Sequence, residues 1–156
     1  MKATRIAALV LALAMVFALA GCGEAAEPID VSALGQQLVD AAGFGEPMNA
    51  LDGAVALGLY GAPEGTTVAA WAGTGATAEE VAVFDCGSAE AAGALVKTLE
   101  QRNDVRASQY ADYDPEEVPK LENALIISGG QYVVLLVAQD QGDAAKIASD
   151  ALAKAA

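Results

Sequence analysis

The sequence contains no histidine. That absence removes the commonest general base and metal ligand, and with it every Ser–His or Cys–His nucleophile pair. Zinc sites built from His and Cys are excluded on the same ground. Cysteine is nearly absent too: Cys22 and Cys86 are the only two. Basic residues are scarce, eight against 21 acidic ones, for a formal net charge of −13. A surface of that sign repels nucleic acid and anionic lipid, so neither is an expected partner, and the simplest use of the acidity is solubility. No phosphate loop or dinucleotide fingerprint occurs. Gly73-x-Gly75 lacks a third glycine and a helix opening directly behind it. There is no Asn-x-Ser/Thr site and no repeat at solenoid periods.

What is present is most telling at the N-terminus. Met1 to Arg5 carries Lys2 and Arg5 and no acid, and Ile6 to Ala18 is an uncharged apolar run. The run suits a signal-peptide core and falls short of the roughly 20 residues that span a bilayer. It ends in Leu19-Ala20-Gly21-Cys22, an aliphatic residue, two small ones and a cysteine. This pattern reads as a bacterial lipoprotein cleavage site, with cutting before Cys22 and acylation of its thiol. The alternatives are an ordinary secretory signal with an incidental cysteine, or an uncleaved anchor. The expected division is a signal peptide over 1–21, a lipidated tether over 22–30 and a single domain over 31–156. One acyl chain binds a membrane only marginally, so a diacylglycerol on Cys22, with palmitate among its acyl chains, is the expected anchor. Acylation consumes that thiol, leaving Cys86 alone and no internal disulfide.

Periodicity and capping signals outline the domain. Val31 to Ala42 reads as a helix capped by Asp30, with Val31, Leu34 and Leu38 on one face. Phe44 to Asp52, punctuated by Gly45 and Pro47, reads as loop; Ala54 to Tyr60 is a short helix or turn. Thr66 to Trp71 and Glu80 to Asp85 read as strands of one hairpin, Val81 and Val83 facing opposite to Ala82 and Phe84. Ser88 caps the longest helix, through about Tyr110. Its inner stripe is Ala92, Leu95, Val96 and Leu99; Glu100, Gln101, Arg102, Asp104 and Arg106 are expected in solvent. Asp114-Pro115-Glu116-Glu117 reads as a cap, a proline at the first position and acids in the first turn. Leu125 to Ser128 and Tyr132 to Ala138 flank Gly129-Gly130-Gln131 as a second hairpin. Asp143 to Ala155 is a last helix. The expected fold is therefore α+β: a four-stranded antiparallel sheet, two hairpins separated by a long helix, with helices packed on it. Tyr132 to Val137 is apolar on both faces, which predicts a central strand covered on both sides. The cover is the first or last helix, or else a partner or second copy.

Several segments together resemble a known family. They are Glu79-Glu80-Val81-Ala82-Val83-Phe84, the long helix ending in Tyr110, the stretch from Tyr113-Asp114-Pro115-Glu116-Glu117 to Leu121-Glu122-Asn123-Ala124, and Gly130-Gln131-Tyr132-Val133. Over roughly Leu34 to Ala148 the chain resembles the bacterial lipoproteins catalogued as domain of unknown function 4358. The resemblance implies a membrane-anchored extracytoplasmic domain with no assigned activity, and it brings no catalytic residues. Cys86 departs from the family, where that position is more often polar or charged.

Three side-chain groups invite a functional reading. Cys86 stands just before a helix start, which lowers a thiol pKa, while Asp85 acts the other way. It is either a reactive thiol or a small, partly buried residue. Asp112, Asp114, Glu116 and Glu117 could gather calcium but lack the glycine turn of an EF-hand, and helix capping is the simpler role. Tyr110, Tyr113, Trp71 and Tyr132 could rim a ligand groove or merely pack. The expectation is a non-enzymatic envelope lipoprotein on the extracytoplasmic face of the cell membrane. It has no catalytic, metal or cofactor residues, is lipidated at Cys22, and serves as a binding or accessory domain for an envelope protein or small ligand. The alternatives are a cell-wall hydrolase working through carboxylates alone, or a structural surface lipoprotein.

Overall fold

A computed structural model describes residues 27–156. The expected signal peptide and lipidation site lie outside the described residues. Asp30 caps α1 (Val31–Ala41), its carboxylate accepting from the Ser32 and Ala33 N–H groups at 2.9 and 3.0 Å. A two-residue strand β1 (Asn49–Ala50) precedes α2 (Gly53–Tyr60), which Asp52 caps. β2 (Thr67–Ala72) and β3 (Glu80–Asp85) follow, then α3 (Ala89–Tyr113), capped by Ser88. A 3₁₀ turn at Pro115–Glu117 leads into α4 (Val118–Glu122). β4 (Leu125–Gly129), β5 (Tyr132–Val137) and α5 (Ala144–Lys154) complete the order.

The sheet is five-stranded and antiparallel, in the order β1-β2-β3-β5-β4. The four-stranded expectation is thereby corrected. The added strand comes from the segment read as loop. Asn49 and Ala50 oppose Ala72 and Trp71, and the Leu51 N–H donates to the Ala70 carbonyl at 2.8 Å. Neither residue favours strands, and two exposed residues leave no period to read. Pairing with β2 is a tertiary event.

β5 lies inside the sheet between β3 and β4, and all six of its residues are buried. Val133, Leu135 and Val137 join Phe84, Ala82, Leu95, Leu99 and Tyr60 on one face. Val134 and Leu136 join Val81, Val83, Leu34, Leu38 and Ala148 on the other. So α3 and α2 cover one side, and α1 with α5 the other. Each large apolar side chain withdrawn from water in this way contributes about 1.5–3 kcal/mol. The cover expected from the first or last helix is supplied by both together, on one side; α3 supplies the second.

Close approach fixes α1 against β2. An added Cβ at Gly35 would overlap the Trp71 ring. Gly93, by contrast, stands in the exposed part of α3 with nothing within 4 Å of an added Cβ. The two glycines should therefore answer alanine with opposite signs. Gly35→Ala is expected to lower the urea midpoint, by about 1–3 kcal/mol of overpacking, and to shift the emission of the single tryptophan. Gly93→Ala should raise the midpoint by about 0.5–1 kcal/mol. Equal effects in the two variants would contradict this packing.

Candidate functional site

Four segments converge at the end of the sheet where β2 turns into β3: the Gly43–Met48 loop, the Gly73–Glu79 turn, the second half of α3, and the 3₁₀ turn with α4. Three carboxylates lie there, with Glu79 1% exposed, Glu80 2% and Glu117 7%. Burial of an ion costs several kcal/mol unless partners replace the lost water. Glu80 accepts from Arg102 through both oxygens, at 2.6 and 3.1 Å, from Arg106 at 2.6 Å and from the Tyr60 hydroxyl at 3.2 Å. Glu79 accepts from the Gly45 N–H at 2.7 Å and from Lys120 Nζ at 3.1 Å. Glu117 accepts from Lys120 Nζ at 2.8 Å and from the Ala78 N–H at 2.7 Å. Arg106 also donates to the Ala78 carbonyl at 3.1 Å. Ala78, the first buried residue of the turn, is thus clamped through both backbone groups. Three anions face three cations, so the cluster is formally neutral.

Arg102 lies over the Tyr60 ring at 4.6 Å and Arg106 over the Tyr110 ring at 5.9 Å, both within cation–π range. Outside the cluster opens a cleft of about 340 Å³ lined by Gly75, Arg106, Gln109, Tyr110 and Tyr113. Tyr113 is 77% exposed and meets Tyr110 edge to face, with centroids 6.4 Å apart. Arg106 uses two of its nitrogens on Glu80 and Ala78, and a guanidinium carries five N–H donors. The other three N–H donors of Arg106 make no hydrogen bond among the described residues. Gly75 has φ +92 and an open approach where a Cβ would stand. The cleft combines an exposed aromatic ring, an amide and a guanidinium, which is the chemistry of recognition by stacking and hydrogen bonding.

The residues singled out in the sequence fall in different places. Tyr110 and Tyr113 share the cleft, whereas Trp71 and Tyr132 belong to the opposite face of the sheet, so the four do not rim one groove. Asp114 does cap, accepting from the Glu116 N–H at 3.3 Å. Glu117 does not: it bridges Ala78 and Lys120. Arg102 and Arg106, expected in solvent, are engaged by Glu80. The available signal was spacing, since both continue the helical stripe of Leu95 and Leu99 at intervals of three, four and seven. Cys86 is buried, and burial raises its thiol pKa, the charge of Asp85 adding to the effect. Among the described residues no group of three or more His, Cys, Asp or Glu is placed to hold a metal ion. No described helix is long and apolar enough to cross a membrane.

Residues 66–138 match a domain of unknown function, DUF4358. The match runs from the start of β2 to the end of β5, just under half of the chain. It is narrower than the Leu34 to Ala148 span of the expected resemblance. It takes in every residue of the cleft and every charged member of the cluster, but not Tyr60. No curated protein and no solved structure matches the chain.

The cluster makes stability sensitive to alkali. Burial, then the charge of Glu80, raises the Tyr60 phenol well above its usual value. Burial alone would lower the Lys120 ammonium, but its hydrogen bonds to Glu117 and Glu79 outweigh this and raise it. Both groups hold their protons more tightly folded than unfolded. Their contribution is whole below about pH 10 and is lost as pH climbs from there toward the folded values. Urea unfolding followed against pH should show stability falling above about pH 10. Tyr60→Phe should make that fall shallower, at a cost of about 1 kcal/mol at neutral pH for the lost hydrogen bond. An unchanged alkaline slope in Tyr60→Phe would contradict the assignment.

Proposed function

We propose that this small α+β domain is the body of a membrane-anchored extracytoplasmic lipoprotein. In this reading it is a non-enzymatic binding or accessory domain of the cell envelope that takes an envelope protein or small ligand at the Tyr110–Tyr113 cleft. The Leu19-Ala20-Gly21-Cys22 box supports the anchor. The cleft carries the binding reading: its lining combines the exposed Tyr113 ring, Gln109 and the Arg106 guanidinium. The buried acids behind it are already bound. A carboxylate hydrolase needs two acids free to reach one substrate bond. Glu79, Glu80 and Glu117 are instead turned inward and held by cations and backbone N–H groups, which supports binding over hydrolysis.

Two variants test the two halves separately. Cys22→Ser should abolish palmitate incorporation and move the protein from the membrane to the soluble fraction. A photo-crosslinker at Gln109 in native membranes should give a discrete adduct that Tyr113→Ala removes without changing the melting temperature, since Tyr113 is exposed. Palmitate label persisting in Cys22→Ser would refute the anchor, and an adduct indifferent to Tyr113→Ala would refute the cleft.

A further inference from the structure

We infer that the domain stands on the bilayer in one orientation, with the β4–β5 turn and the start of α3 against the lipid and the Tyr110–Tyr113 cleft held at the far end. The inference rests on acylation at Cys22, the anchor proposed above. The chain is already laid on the body at Glu27. The Glu27 N–H donates to the Lys154 carbonyl at 3.3 Å, and the Ile29 N–H donates to the Tyr132 hydroxyl at 3.2 Å. Five residue steps separate Cys22 from Glu27, and at full extension they reach about 18 Å. The surface around Glu27 must therefore stay within that distance of the anchor. Glu27, Pro28, Ser88, Gly130, Gln131 and Ala155 share one shallow depression there.

α3 converts this tether into a direction. It begins beside the depression, at Ala89, and its 25 residues rise about 37 Å to Tyr113. Arg102 and Arg106 reach Glu80, the first residue of β3, so the helix runs back along β3 from the tethered end to the opposite one. Exposed acids lie at both ends of α3, Glu27 and Glu90 near its start and Asp112 and Glu116 at its far end, so the orientation rests on the tether and on the direction of the helix. The short tether thus sets how the binding cleft is presented: outward, beyond the reach of the lipid surface.

Energy transfer tests the orientation in the full acylated chain reconstituted in phosphatidylcholine–phosphatidylglycerol vesicles that carry an acceptor on a lipid headgroup. In a Cys86→Ala background, donors are placed at Ala89→Cys and Ala111→Cys, two exposed positions on one helix. Transfer from position 89 should exceed that from position 111 several-fold. Hydrogen exchange of the unsubstituted chain gives the same reading without labels. Addition of vesicles should slow exchange across 129–132 and leave 109–113 unchanged. Mass spectrometry of the reconstituted protein separates the two failures. A chain without acyl mass overturns both the anchor and the orientation. An acylated chain with equal transfer, or with greater transfer at position 111, overturns the orientation alone.

Discussion

Three carboxylates, Glu79, Glu80 and Glu117, sit beneath the β2–β3 turn almost out of contact with water, and each has to be answered from within the protein. The answer joins parts of the chain that have no other reason to meet. Lys120 ties α4 to the start of β3 and to the preceding 3₁₀ turn. Arg102 and Arg106 tie α3 to β3, and Tyr60 brings in α2. The Gly45 N–H ties the loop before β1 to the same point. Half of the basic residues that follow Cys22 are drawn into this one cluster. Each buried acid accepts from at least two donors inside the protein. Such a cluster is expensive to assemble, yet once assembled it is costly to break, because losing one partner strands the other charge.

The same cluster defines the cleft. Arg106, which lines the cleft, is held in place by Glu80 and the Ala78 carbonyl. Tyr110 lies against that guanidinium, and Tyr113 leans edge-on against Tyr110. A recognition surface whose polar groups are held by a buried network needs little reordering on binding. The matched family span contains all of these residues, so the cleft belongs to the part of the chain that resembles other proteins.

Much of the fold could be read from local pattern. The caps at Asp30 and Ser88, the alternation in Val81-Ala82-Val83-Phe84 and the doubly apolar Tyr132 to Val137 each follow from one rule applied to neighbours in sequence. β1 could not be read, because its pairing with β2 is decided by the partner strand and not by Asn49 or Ala50. The site was legible only in part. Tyr110 and Tyr113 were visible as aromatics, but their separation from Trp71 and Tyr132 depends on which face of the sheet each helix covers. Arg102 and Arg106 are expected in solvent because charge outweighs spacing, although their spacing suits the inner stripe, and Glu117 is expected only as a first-turn acid. A buried ion network reverses the usual meaning of charge, and only the anions brought close by folding show which cations are needed.

The most direct test removes one charge from the centre of the cluster while keeping its shape. Glu80→Gln leaves two guanidiniums, with side chains 16% and 19% exposed, facing a neutral amide. Urea unfolding of this variant should show a loss of about 3–5 kcal/mol, as when a buried pair is broken on one side. A loss below about 1 kcal/mol, the range of exposed surface pairs, would contradict the claim that this network holds the site end of the domain together.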